Sequence, residues 1–90
     1  MGRNALRYNA SGSTNTALGE QSLASNTTAS NNVGIGHYSL QQNTTGTQNV
    51  AVGTFALDAN TTANGNTAVG YGVLTDNTTG TFIAAVGMDC

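Results

Sequence analysis

A fixed interval of 17 residues governs this chain. "NTALGEQSL" (15–23) is followed by "NVGIGHYSL" (32–40), "NVAVGTFAL" (49–57) and "NTAVGYGVL" (66–74). Gly2, Gly19, Gly36, Gly53, Gly70 and Gly87 keep the interval, as do Leu6, Leu23, Leu40, Leu57 and Leu74. Leu18, Ile35, Val52, Val69 and Val86 stand before the glycines, and no unit carries an insertion. So short an interval excludes the helix-pair repeats, which need more than about 30 residues, and it is no multiple of a heptad. Gly, Thr and Asn in bulk also oppose helix.

Within each unit the residues one and three places before the glycine are mostly β-branched or aliphatic, with Ala or Gly between them. That alternation has the period of a strand. A second short strand is expected to carry the leucine, while segments such as "NTTGTQN" are rich in turn formers. Two strands and two turns make one coil of a β-solenoid. The predicted fold is all-β: a parallel β-solenoid, or β-roll, with coils at residues 2–18, 19–35, 36–52, 53–69 and 70–86, and with 87–90 opening a sixth unit. One coil buries about two large aliphatic side chains, worth roughly 3–6 kcal/mol, against an ordering cost several times larger. Coils of this kind are stable only when stacked.

The aliphatic and leucine ladders are expected to point into the coil, and the glycines to sit at a bend closed to other residues. Ala17, Gly34, Ala51, Ala68 and Ala85 then form a small, flat outer face. That face is either plain solvent surface or the place where a second chain comes close.

Asn9, Asn26, Asn43, Asn60 and Asn77 open a turn in every coil. Stacked Asn side chains hydrogen-bond along the axis of cross-β assemblies. Each also begins an N-x-S/T triplet, "NAS" once and "NTT" four times, the acceptor pattern for N-glycosylation. Scaffold and glycan carrier both fit the sequence.

Charged residues are 7% of the chain and the net charge is −2, so nucleic-acid binding has no electrostatic support. No apolar run approaches a membrane span, and the first ten residues, "MGRNALRYNA", hold no signal-peptide core. One His and one Cys, without a carboxylate cluster, point to no metal site, no cofactor and no catalytic constellation. The expectation is a protein that is not an enzyme. Arg3 and Glu20 share a coil position and read as a stacked ion pair.

The stretch "NTAVGYGVLTDNTTGT" (66–81) resembles repeats in the head domains of trimeric autotransporter adhesins and in phage tail fibres. The "NVAVG" and "NTAVG" strands carry the resemblance, which extends over nearly the whole chain. It implies a left-handed parallel β-roll, three chains side by side, and a fibrous role exposed on a cell surface or virion. The 17-residue spacing is slightly longer than that of common adhesin-head units, and nothing matches the self-cleaving chaperone domain that ends many tail fibres.

Two readings of the termini stand open. Met1 holds an aliphatic position and "GMDC" begins a further unit, as in a window from a longer fibre. Alternatively, the chain is a subunit that stacks head to tail. Arg3 and Arg7 lie in the first coil, with Asp76 and Asp89 at the far end, and opposite charge there favours end-to-end addition. Phe82 and Ile83 replace polar residues of the earlier coils and are further candidates for contact with another subunit. Cys90 is either a small buried residue or an intermolecular disulfide partner. The leading functional expectation is an extracellular structural fibre segment that associates with itself. The alternative is an adhesive module that holds a glycan or host receptor, for which aromatics gathered on one face would be the mark. Tyr38 and Phe55 share a coil position, and Tyr71 lies one place off.

Overall fold

The computed structural model describes residues 2–75, 78, 80–81 and 83–87. Among these it holds no helix and five three-residue strands: β1 (Thr16–Leu18), β2 (Val33–Ile35), β3 (Val50–Val52), β4 (Thr67–Val69) and β5 (Ala84–Val86). They form one parallel sheet in sequence order, and every pairing is offset by one unit, Ala17 opposite Gly34, Gly34 opposite Ala51, and so on. The chain is a β-solenoid with the 17-residue coil read from the sequence. Val33 N–H donates to Asn49 O one strand on (2.8 Å), and Gly36 N–H, just past the second strand, to Leu18 O of the first (2.7 Å).

Among the described residues each coil has one strand rather than two. The leucine lies in a run of turns, because its backbone is left-handed: φ is 51° at Leu23, 50° at Leu40 and 52° at Leu57. In the second coil Ser22, Ala24 and Asn26 N–H bond back to Gly19, Gln21 and Leu23 O (3.2, 3.3 and 3.1 Å). The intervening amides point along the axis: Gln21 N–H reaches Arg3 O in the coil before (2.8 Å), and Leu23 N–H reaches Ser39 O in the coil after (3.0 Å). Local and axial bonds alternate, so a corner with no strand still satisfies its backbone.

The sheet is inverted relative to the expectation. The middle residue of each strand faces inward, with Ala17 at 4% exposure and Ala51 and Ala68 at 0%. Leu18 and Val86, from the aliphatic ladder, are 48% and 72% exposed. The interior is already filled from the other side by Leu23, Leu40 and Leu57, which pack against the alanines with Ala56 and Val73. What remains opposite the leucines has room for a methyl group and no more. At Gly34 even that is crowded, since a Cβ would lie 2.8 Å from Ser22 Oγ and 3.3 Å from Leu23 Cγ.

The glycine bend is as expected. Gly19, Gly36, Gly53, Gly70 and Gly87 take φ from 120° to 143°, a region open to glycine alone. Besides the leucines, two columns of described residues hold left-handed backbone without requiring glycine. One is Asn4, Gln21, Tyr38 and Phe55, with Gly72 last; the other is Thr14, Asn31 and Gln48, with Gly65 last. A non-glycine residue there costs about 1–2 kcal/mol, less the entropy that a glycine loses on folding. Gln48 is exposed with φ 60°, and Gly65 takes φ 70° one coil on. Gln48→Gly is therefore expected to stabilise the protein by about 0.5 kcal/mol, seen as a small rise in the thermal midpoint by circular dichroism.

Candidate functional site

Three features at the coil corners and the sheet's outside can do something chemical. The first is the asparagine ladder. Asn26 Nδ2 donates to Asn9 Oδ1 (2.7 Å), Asn43 Nδ2 to Asn26 Oδ1 (3.1 Å) and Asn60 Nδ2 to Asn43 Oδ1 (2.9 Å). Each Nδ2 also closes its own turn, onto Ala29 O (3.0 Å), Gly46 O (2.9 Å) and Ala63 O (3.2 Å) respectively. Asn26, Asn43 and Asn60 are fully buried, so both amide protons are committed inside the coil. A glycan linked through Nδ2 would remove one of these bonds and enter closed space, so the geometry favours scaffold over carrier for these three. Asn9 is half-buried and bonds through Nδ2 to Gly12 O (2.9 Å). Asn77 lies outside the described residues.

A second ladder, not singled out from the sequence, runs through Asn15, Asn32, Asn49 and Asn66, the residue before each strand. Its Oδ1 atoms accept the backbone N–H one coil on: Asn32 from Asn49 (2.9 Å), Asn49 from Asn66 (2.9 Å) and Asn66 from Ile83 (2.9 Å). Its Nδ2 atoms bond to Gly46 O, Ala63 O and Gly80 O (2.8, 2.9 and 2.7 Å). The signal was present, since Asn opens every quoted phrase at the same interval. Among the described residues no buried side-chain nitrogen or oxygen lacks a partner. The buried members of both ladders act as scaffold, their side-chain amides bonded to one another or to the backbone of the neighbouring coils.

The second feature is the outer face of the sheet. Thr16 and Leu18, Val33 and Ile35, Val50 and Val52, Thr67 and Val69, and Ala84 and Val86 point outward, half-buried or exposed. Apart from Thr16 and Thr67 the face is apolar, most of its side chains are β-branched, and it bears no charge. Parallel sheets are ordinarily covered on both sides.

The third feature is an aromatic corner just past the glycine bend. His37 stacks on Tyr38 (centroids 4.1 Å apart, planes at 25°) and meets Phe55 edge-on (5.9 Å, 81°). Tyr38 lies 5.4 Å from Phe55, and Phe55 lies 6.1 Å from Tyr71, again edge-on. Tyr71 is 53% exposed. Glu20 does not pair with Arg3 as its column position suggested. Its Oε1 lies 3.3 Å from His37 Nδ1, in the following coil of the same column. Both groups are well exposed, so the pair orients the imidazole more than it stabilises the fold.

Of the residues expected at contacts between subunits, Arg3, Arg7 and Ile83 lie among the described residues. Arg3 and Arg7 are exposed in the first coil, with the Arg7 guanidinium 5.0 Å from the Tyr8 ring centroid. Ile83 is half-buried in the last coil, where its carbonyl accepts from Thr67 N–H (2.7 Å). Phe82, Asp89 and Cys90, like Asp76, lie outside the described residues. No group of three or more metal-ligating side chains occurs among the described residues. No protein-family model matches this chain, and neither a curated protein nor a solved structure is significantly similar to it.

Proposed function

We propose that this chain is a structural segment of a surface-exposed, extracellular fibre, a rod that associates side by side with copies of itself. The observation that supports this is the uncovered apolar face of the parallel sheet. Five strands present a column of Leu18, Ile35, Val52, Val69 and Val86 to the outside, flanked by Thr16, Val33, Val50, Thr67 and Ala84. A face this regular, without one charged residue, suits a flat neighbour of the same repeat, whose own column meets it at the same axial spacing. The resemblance to adhesin heads makes three the expected number of chains. A second role, adhesion to a glycan or host surface, is favoured by the aromatic corner.

A double Ile35→Lys/Val52→Lys variant tests the association. Both side chains lie outside the coil, so the variant should stay folded by circular dichroism, with any fall in its melting temperature set by the association it loses. Sedimentation equilibrium should show wild type as an oligomer and the variant as a monomer. Wild type remaining monomeric at high micromolar concentration would rule out lateral packing through this face.

A further inference from the structure

We infer that the exposed column of Ser11, Thr28, Thr45 and Thr62, with the column of Ser13, Ser30, Thr47 and Asn64 two residues on, is a face that orders water and binds the surface of ice. This goes beyond the fibre reading, and it does not depend on side-by-side packing of the sheets.

Two independent observations carry it. The first is what remains of the "NTT" triplets once their asparagines are scaffold. The first threonine of each is tied into the stack: Thr27 and Thr44 are half-buried, and their Oγ1 atoms donate to Thr44 O and Thr61 O of the following coil (both 3.3 Å). The second threonine is not. Thr28, Thr45 and Thr62 are exposed, and among the described residues their hydroxyls have no protein partner. No bond of the fold calls for a hydroxyl at this position, yet every unit carries one there, from Ser11 onward.

The second observation is the arrangement. Between the two columns lie Ala29, Gly46 and Ala63, all buried. A buried residue between two outward ones is the alternation of extended chain. Stacked coils repeat at about 4.8 Å along the axis, and residues two apart in extended chain lie about 6.7 Å from each other. Those two repeats are close to the ones that water oxygens keep on a prism face of ice. The register is held along the axis: Ser13 N–H donates to Ser30 Oγ (3.0 Å), and Thr47 N–H and Oγ1 both reach Asn64 Oδ1 (2.7 and 3.2 Å). Threonine is stiff at χ1, so its hydroxyl and methyl are placed before a ligand arrives and little rotamer freedom is lost on binding. The hydroxyls can stand in for lattice waters, and the methyl groups order the water between them. Charged groups would turn that water out of register, and residues 10–14, 27–31, 44–48 and 61–65 contain none.

Thermal hysteresis and ice-crystal shape, read in a nanolitre osmometer on the full chain, test the assignment. Three variants are compared with wild type. Thr45→Tyr and Thr28→Tyr each raise a bulky ring above the array, and Ile35→Lys/Val52→Lys is altered on the sheet face. Circular dichroism in the cold confirms that each is folded. Wild type should facet ice crystals and hold their growth below the melting point. Each tyrosine variant should lower the hysteresis about fivefold or more, because the ring keeps the flat lattice from the neighbouring hydroxyls. The sheet-face variant should act as wild type does. Three results would overturn the inference: no hysteresis or faceting by wild type at millimolar concentration, activity unchanged in both tyrosine variants, or activity lost only in the sheet-face variant. Sedimentation of the same samples keeps the two readings apart. A monomer that facets ice would remove lateral packing and support this inference, and an oligomer without effect on ice would do the reverse.

Discussion

Asn43→Asp is expected to be the most damaging isosteric change in the chain. Asn43 sits in the middle of the buried ladder. Its Nδ2 donates to Asn26 Oδ1 and Gly46 O, and its Oδ1 accepts from Asn60 Nδ2. A carboxylate keeps the shape and the acceptor but loses both donors, and it places a charge against two carbonyl-type oxygens in a fully buried position. Each stranded buried polar group costs about 1–3 kcal/mol, and an unpaired buried charge costs more, so the loss at neutral pH should be about 5 kcal/mol. That is a large part of the stability of a small domain. The pH dependence has a definite sign. Burial and the facing oxygens hold the new carboxyl's folded-state pKa above its unfolded value of about 3.9. The penalty relative to wild type is therefore smallest below that value and grows as pH rises towards the folded pKa, where it levels off. Urea unfolding of both proteins at acidic and neutral pH measures it. A variant as stable as wild type at neutral pH would mean that the ladder does not hold the coils together.

Gly36→Ala should do comparable harm by a different route. Gly36 has φ 125°, and an added Cβ would lie 2.7 Å from both the carbonyl carbon and the oxygen of Gly53, and 3.1 Å from Thr54 N. Those neighbours are backbone of the next coil and cannot rotate away. The disfavoured backbone and the collision together should cost about 4 kcal/mol. Coils in a solenoid hold each other by nearest-neighbour contact, so wedging the 36–53 contact should also divide the stack and broaden the thermal transition. Gln48→Gly tests a site where the same reasoning predicts a gain. Loss of stability in Gly36→Ala alongside a gain in Gln48→Gly separates the glycine-only bend from the merely left-handed column. A Gly36→Ala variant that melts with wild type would refute the close stacking of the glycines.

The period, the strand and the glycine bend could be read from residue order, because each depends on local chemistry repeated at a fixed interval. Alternation of large and small residues marks a strand wherever it occurs. A glycine after every strand marks a conformation that side chains resist. The asparagine ladder was legible for the same reason, since residues 17 apart must stack if coils stack. The second asparagine ladder, from Asn15 to Asn66, carries the same signal, but Asn before a strand also fits ordinary turn chemistry. The leucine segments misled because Leu at φ near 50° runs against its own preference. Only the packing of Leu23, Leu40 and Leu57 against the alanines explains why the chain accepts it.

Residue order is enough to specify a stack of 17-residue coils, each with a strand, a bend and asparagine-bonded turns. Tertiary structure alone decided which face of the strand turns inward. Alternation distinguishes two faces but does not say which is covered. Here the leucines enter from the opposite corner and take the space, so only Ala17, Gly34, Ala51 and Ala68 fit beneath the sheet. Leu18, Ile35, Val52 and Val69 are left on the outside, as the face through which the proposed rods would meet.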